Sequence, residues 1–199
     1  NKMNIVIATR NAGKFKELSR LLGIPGIKYL SLLDFPKCPV PPEDKSTYAE
    51  NAMVKAEAVA AFTGLPAVAD DSGLEVSYLN GGPGILSARY GGEGLDDRGR
   101  VKKLLGELKG VGMERRGARF RCVLALACAN RKEFVEGECT GLIATSPRGK
   151  AGFGYDPVFI VPGLNRTMAE LGPKEKDSVS HRGQAARKLR PILQSLNRT

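Results

Sequence analysis

Ala69-Asp70-Asp71-Ser72-Gly73 is the stretch of this chain best equipped for chemistry. Adjacent carboxylates repel, so Asp70 and Asp71 need a cation, a basic side chain or backbone N–H groups to offset their charge. Residues 65–68 before them and 74–76 after them are short apolar runs that predict two strands, with the acidic residues in the turn between. Gly73 would let that turn take a positive φ and approach a ligand closely. Asp, Ser and Gly are also ordinary turn formers, so local composition leaves a plain surface turn equally open.

A second stretch offers phosphate chemistry. Residues 4–8 predict a buried strand, which passes through Thr9, Arg10, Asn11, Ala12, Gly13 and Lys14 into a helix where Phe15, Leu18, Leu21 and Leu22 keep helical spacing. The free N–H groups and dipole of a helix N-terminus favour an anion, and Lys14 adds a cation. This is not a P-loop, which would need Gly at Ala8 and Ser or Thr at Phe15. A simple capped turn is the competing account.

The elements that must carry these residues follow from the pattern. Gly23 and Pro25 end the first helix, and residues 27–33 predict a second strand. Pro36, Pro39, Pro41 and Pro42 then enforce a loop that leads to Glu43-Asp44-Lys45. Thr47-x-x-Glu50 is a capping box that opens an Ala-rich helix running to about Thr63 and closed by Gly64. Along it Ala49, Ala52, Ala56 and Ala60 form a small-residue stripe. Asn51 and Lys55 share another face, for which surface solvation is the simplest account. Farther on, the spacing predicts a Gly-rich loop at 81–84, a helix from Asp96 to Leu108, and paired strands at 120–129 and 133–140. A second Gly-rich loop at 152–157 feeds a strand at 158–161. The last helix begins near His181, with Pro191 bending or interrupting it.

A length of 199 residues, with 42% hydrophobic and 26% charged residues, suits one globular domain over 1–199 with one or two lobes. No apolar run reaches the ~20 residues of a membrane helix and no secretory signal is visible, so a cytoplasmic protein without membrane partners is expected. Met3 reads as the natural start, with Asn1 and Lys2 as additions. The formal charge of +10 favours anionic partners. Its one internal cluster is Arg115, Arg116, Arg119 and Arg121, for which a solvated basic surface is the plain alternative. With 6% aromatics and no Trp, a stacking platform for single strands is not expected. Cys38, Cys122, Cys128 and Cys139 show no C-x-x-C spacing, and one His makes a zinc site improbable. Cys122 and Cys128 read as reduced core thiols.

Taken together, the segments resemble the inosine triphosphate pyrophosphatase family of non-standard purine nucleoside triphosphate pyrophosphatases. The matching pieces are the 9–14 turn, Glu50-Asn51-Ala52 with Lys55, residues 69–74, Pro83-Gly84 with Ser87-Ala88-Arg89-Tyr90, Phe153-Gly154-Tyr155-Asp156-Pro157, and Ser180-His181-Arg182-Gly183. Each motif is weak alone, but six in family order span nearly the whole chain. Two positions depart from the pattern: Arg10, where many relatives carry Gly or His, and Lys45, which replaces a common Gly.

The resemblance implies an α/β fold: an elongated mixed β-sheet with flanking helices, and two lobes around a central active-site cleft. It implies Mg²⁺-dependent hydrolysis of ITP, dITP or XTP to the monophosphate and pyrophosphate, which cleanses the nucleotide pool, by a homodimer that does not bind nucleic acid. Glu43 and Asp71 would hold the metal, and Asp71 would also activate water. Lys14 and Lys55 would offset triphosphate charge. Thr9, Arg10, Asn11, Ala12, Gly13, Ser72, Phe153, Gly154, Tyr155, Asp156, Lys176, His181 and Arg182 complete the implied substrate contacts. Arg182, a donor only, would suit the C6 oxygen of hypoxanthine or xanthine and pair badly with adenine. Two other readings stay open: a pyrophosphatase for another modified or pyrimidine nucleotide, and a basic nucleic-acid-binding protein that keeps the fold.

Overall fold

The computed structural model describes residues 2–196, so Asn1 lies outside the described residues. In chain order the elements are β1 (Met3–Ile7), α1 (Ala12–Leu21), β2 (Ile27–Ser31), α2 (Tyr48–Thr63), β3 (Ala67–Val76), α3 (Asp97–Glu107), β4 (Gly117–Cys128), β5 (Arg131–Ile143), β6 (Phe159–Val161), β7 (Arg166–Thr167), α4 (Pro173–Val179) and α5 (His181–Leu196). The strands form one seven-stranded sheet in the order β2-β1-β3-β4-β5-β6-β7. β1 pairs parallel with β2 and β3, whereas β6 pairs antiparallel with β5 and β7. The mixed sheet with accompanying helices expected from the sequence is therefore present.

The chain divides into two compact units. Unit 1 takes the described residues of Asn1–Asp71, Cys122–Gly137 and Arg182–Thr199, and unit 2 takes Ser72–Arg121 and Glu138–His181. Each has its own core. In unit 1, Ile5 and Ile7 of β1 and Leu124 and Leu126 of β4 pack with Leu18 of α1 and Leu189 of α5. In unit 2, Leu104 and Leu108 pack with Leu74, Phe120, Ile143 and Phe159.

Local chemistry sets the helix ends. Asn11 caps α1 by accepting from the Lys14 N–H at 3.0 Å, and Asp96 caps α3 by accepting from Gly99 N–H at 2.8 Å. Thr47 caps α2 by accepting from Glu50 N–H, and Gly64 ends that helix in the left-handed conformation at φ 68°. Only half of the expected capping box forms, and the Glu50 carboxylate accepts instead from the Ser46 hydroxyl. Pro191 lies inside α5 without ending it. The short strand β7 and the helix α4 were not expected.

Two sequence expectations are corrected. Residues 67–76 are one ten-residue strand, not two strands around an acidic turn. Gly73 accordingly sits in extended backbone and supplies no positive-φ bend. The arginine cluster is a solvated basic surface only in part, since Arg115 is exposed and the Arg119 side chain is 43% exposed. Arg116 is buried and donates to the carbonyls of Leu108, Ile143 and Ala144. Arg119 and Arg121 pair with Glu75, and the Arg115 guanidinium lies 4.8 Å from the centre of the Tyr78 ring.

Candidate active site

A strand can carry two adjacent carboxylates only if other elements bring cations to it, and unit 1 does so. Asp70 accepts from Lys14 Nζ of α1 on Oδ1 at 2.7 Å and from Arg182 Nε of α5 on Oδ2 at 2.9 Å. The Cys122 thiol of β4 lies 3.2 Å from the same Oδ2. Burial alone would push the Asp70 carboxyl up, but Arg182 and Lys14 outweigh it and hold the group well below the usual carboxylate range. Burial and the charge of Asp70 raise the Cys122 thiol, which keeps it protonated as a donor. Arg182 also donates through Nη1 to Glu17 Oε2 at 2.9 Å, so two of its nitrogens are committed to buried carboxylates.

Asp71 meets a different environment, because successive strand residues face opposite sides of a sheet. It is 4% exposed, and its Oδ2 is buried without a hydrogen-bond partner. Its pKa is pushed up to about 6, first by burial and then by the Glu43 carboxylate, with Asp70 adding to the rise while Lys55 and Asn51 oppose it. The Asn51 amide faces Asp71, although its Nδ2 completes no well-formed hydrogen bond. Lys55 of α2 donates to Glu43 and, at 3.0 Å, to the backbone carbonyl of Asp70. Far from being solvated, Asn51 and Lys55 are 2% and 7% exposed, one turn apart on the buried face of α2. In this cluster Lys14, Lys55 and Arg182 stand against Glu17, Glu43, Asp70 and Asp71. With Asp71 ionised the balance is one net negative charge.

The 9–14 turn is a capped helix start of exposed and half-buried residues. Thr9 Oγ1 accepts from Asn11 N–H at 3.1 Å, and Ala12 and Gly13 form the exposed first turn of α1. The Arg10 guanidinium points away along the following loop and donates to the carbonyls of Cys38 (3.0 Å) and Pro36 (3.4 Å). Lys14 does not stand free above the turn: its side chain is 24% exposed and its ammonium is on Asp70.

The remaining sequence-predicted residues lie in unit 2. Lys176 of α4 and Asp156 form a buried pair at 2.8 Å, and Asp156 also accepts from Phe153 N–H. The Lys176 ammonium lies 5.0 Å from the centre of the Phe153 ring. Gly154 N–H donates to Asp97 at the start of α3, and the Tyr155 hydroxyl donates to the Ser87 carbonyl. Phe153 and Gly154 border a groove of about 520 Å³ whose other walls include Val101, Leu105 and Pro157. The buried His181 ring stacks on Phe120, with centroids 4.5 Å apart. Ser72 is half-buried on β3.

Sequence reading missed Glu17, Cys122 as a polar partner, and Phe120. Glu17 had one faint signal, its place one turn after Lys14 on the same helix face. Among the described residues, no group of three or more His, Cys, Asp and Glu side chains forms a ready-made metal site, and no helix is long and apolar enough to cross a membrane.

A curated relative from Geobacillus kaustophilus, named dITP/XTP pyrophosphatase, is 53% identical over 93% of this chain and 91% of its own length. One of the same name from Desulforamulus reducens is 49% identical over 98% of this chain and 97% of its own. A solved HAM1 protein from Coxiella burnetii superposes with a TM-score of 0.87 at 43% identity, covering 97% of this chain and 99% of that one. The Staphylococcus aureus Ham1 protein gives 0.85 at 39% identity, covering 96% and 98%. The sequence profile of the Ham1 family matches residues 5–192, almost from end to end, and the chain belongs to that family.

Proposed function

We propose that this chain is a nucleoside triphosphate pyrophosphatase acting on non-standard purine nucleotides of the dITP and XTP class, the activity for which its curated relatives are named. In this reaction water displaces pyrophosphate from the nucleoside monophosphate, and its biological yield is a nucleotide pool cleared of bases that would be miscopied. The observation that carries the reading is the Asp71 carboxylate, whose buried Oδ2 lacks a partner beside Glu43 in a cluster otherwise paired with lysines and an arginine.

That orphaned oxygen and its carboxylate neighbour suit Mg²⁺, which prefers one or two carboxylates together with phosphate oxygens and waters. Glu43 and Asp71 would hold it. When bound, the ion supplies charge neutralisation on the phosphates. Asp71, whose pKa burial and Glu43 raise to about 6 in the metal-free site, is ionised at neutral pH and is the proposed acceptor of the proton from the attacking water. Lys55 already spans Glu43 and the Asp70 carbonyl, which fixes its ammonium where developing phosphate charge is to be met. Lys14 reaches the same task by exchanging part of its contact with Asp70 for phosphate. Asp70, fully paired, holds these cations in place and carries no proton.

Thr9, Asn11, Ala12 and Gly13 offer the exposed helix start to phosphate oxygens, and Ser72 a hydroxyl. Phe153, Gly154, Tyr155, Asp156, Lys176 and His181 are proposed to bind the rest of the nucleotide, with Phe153 as the apolar face. The C6 oxygen of the base is the proposed partner of Arg182, whose Nε and Nη1 hold Asp70 and Glu17. The protein is proposed to work in the cytoplasm as a homodimer. A panel of triphosphates with Mg²⁺, scored for phosphate against pyrophosphate release, tests the whole reading. ITP, dITP and XTP should be turned over with pyrophosphate as product, well ahead of ATP and GTP. Orthophosphate release, or equal rates on all purines, would refute it.

A further inference from the structure

Glu43 stands on a weakly structured part of unit 1. Residues 35–47 contain no helix or strand, and a span of that length usually wanders unless something holds it. Four of those positions, Pro36, Pro39, Pro41 and Pro42, are proline, which fixes φ and stiffens the backbone without fixing where the span points. A stiff rod needs its two ends held, and both ends are.

At one end, Arg10 Nη2 donates to the Cys38 carbonyl at 3.0 Å and to the Pro36 carbonyl at 3.4 Å. Cys38 itself is 2% exposed, so the tether closes on a buried anchor. At the other end, Asn51 Oδ1 accepts from the Lys45 N–H at 2.9 Å. Pro39, Val40, Pro41, Pro42, Glu43 and Asp44 lie between the two anchors. Glu43 is thus carried by a proline-stiffened bridge, one end pinned by the turn after β1 and the other by α2. The Arg10 tether also ties the 9–14 turn to the segment that bears a carboxylate.

We propose that Arg10 is a positioning residue for Glu43: by clamping the Pro36–Cys38 carbonyls it fixes the proline bridge, and so the place of the Glu43 carboxylate beside Asp71. The proposal rests on the reading that Glu43 and Asp71 hold the divalent cation. Outer partners that orient a metal-binding side chain commonly govern affinity by about 10- to 100-fold. Arg10 itself touches neither Glu43 nor Asp71, so its effect must pass through the backbone it holds.

The test uses Mn²⁺, a spectroscopic stand-in for Mg²⁺, titrated by electron paramagnetic resonance into the full chain without nucleotide. Hydrogen exchange over residues 36–45 is measured in parallel. Glu43→Gln, Arg10→Ala and Arg10→Lys are compared with the parent. Arg10→Ala should raise the Mn²⁺ dissociation constant by roughly 10-fold and speed exchange across the bridge. Arg10→Lys, which keeps a donor, should recover part of both and serves as the readable variant should Arg10→Ala fold poorly. If Glu43→Gln weakens Mn²⁺ binding while both Arg10 variants leave affinity and exchange at parental values, Arg10 does not position Glu43. A raised KM for triphosphate with those two readouts unchanged would likewise overturn the proposal and place Arg10 on the substrate. If Glu43→Gln leaves Mn²⁺ affinity untouched, the metal reading itself fails, and Arg10's role toward it falls with it.

Discussion

Replacing Asp71 with Asn should abolish turnover and at the same time make the metal-free protein more stable. An ionised carboxylate buried at 4% exposure, facing Glu43 and lacking a partner on Oδ2, costs the folded state free energy. The size of that cost follows from the proton. A carboxyl whose pKa rises from 3.8 to about 6 on folding binds its proton more readily in the native state. The cost of ionising it is absent below the unfolded value, grows as pH climbs through the interval, and is complete above the folded value. Two units correspond to roughly 3 kcal/mol, an upper bound because the unfolded chain retains some structure and the Asn amide must itself be accommodated. For a chain of this size each kcal/mol moves Tm by about 2–4 °C, so Asp71→Asn should melt several degrees higher at pH 7.5. The assay is thermal unfolding of parent and variant in chelator, at pH 4 and at pH 7.5. The gain should be present at pH 7.5 and shrink to a small fraction near pH 4, where the folded-state carboxyl is protonated and the pH lies close to the unfolded value. Equal melting at both pH values would refute the view that Asp71 is held as a strained base. So would a variant destabilised at pH 7.5. In the parent, kcat/KM for the purine triphosphate should show an ascending acid limb as Asp71 loses its proton, at or below pH 6 because bound cation lowers the value further.

Arg182→Ala removes an ionic partner from each of Asp70 and Glu17 and leaves two buried carboxylates underpaired, which should cost about 3–5 kcal/mol in denaturant unfolding. A loss below 1 kcal/mol would show that the network is solvated in solution. Lys14→Ala removes one of the ionic partners of Asp70 and keeps Arg182. It should raise KM for triphosphate and lower kcat, and unchanged kinetic constants would make Lys14 a partner of Asp70 alone.

The sequence by itself determined those features whose cause is local. Asn11, Thr47, Gly64 and Asp96 mark helix ends because a cap is a bond within three or four residues, or a left-handed backbone that glycine accepts. The proline run announced a loop for the same reason. The acidic pair was legible as a place needing compensation, and Glu43, Lys14 and Lys55, which the family resemblance named, do meet around it.

Tertiary structure alone decided how the compensation is made. Residues 70–73 look like a turn because Asp, Ser and Gly are poor strand formers. They remain in β3 because Lys14, Lys55 and an arginine 112 positions away neutralise and bind the chain there. Glu17 resembles any solvated helix glutamate until Arg182 reaches it, and Arg116 resembles part of a basic patch until its guanidinium is seen closing backbone carbonyls. Two adjacent, chemically identical carboxylates acquire opposite characters, one held ionised and one pushed up to about 6. Alternation along a strand sends one toward Arg182 and Lys14 and the other toward Glu43, and the pKa of a buried group is set by its spatial neighbours rather than its sequence neighbours.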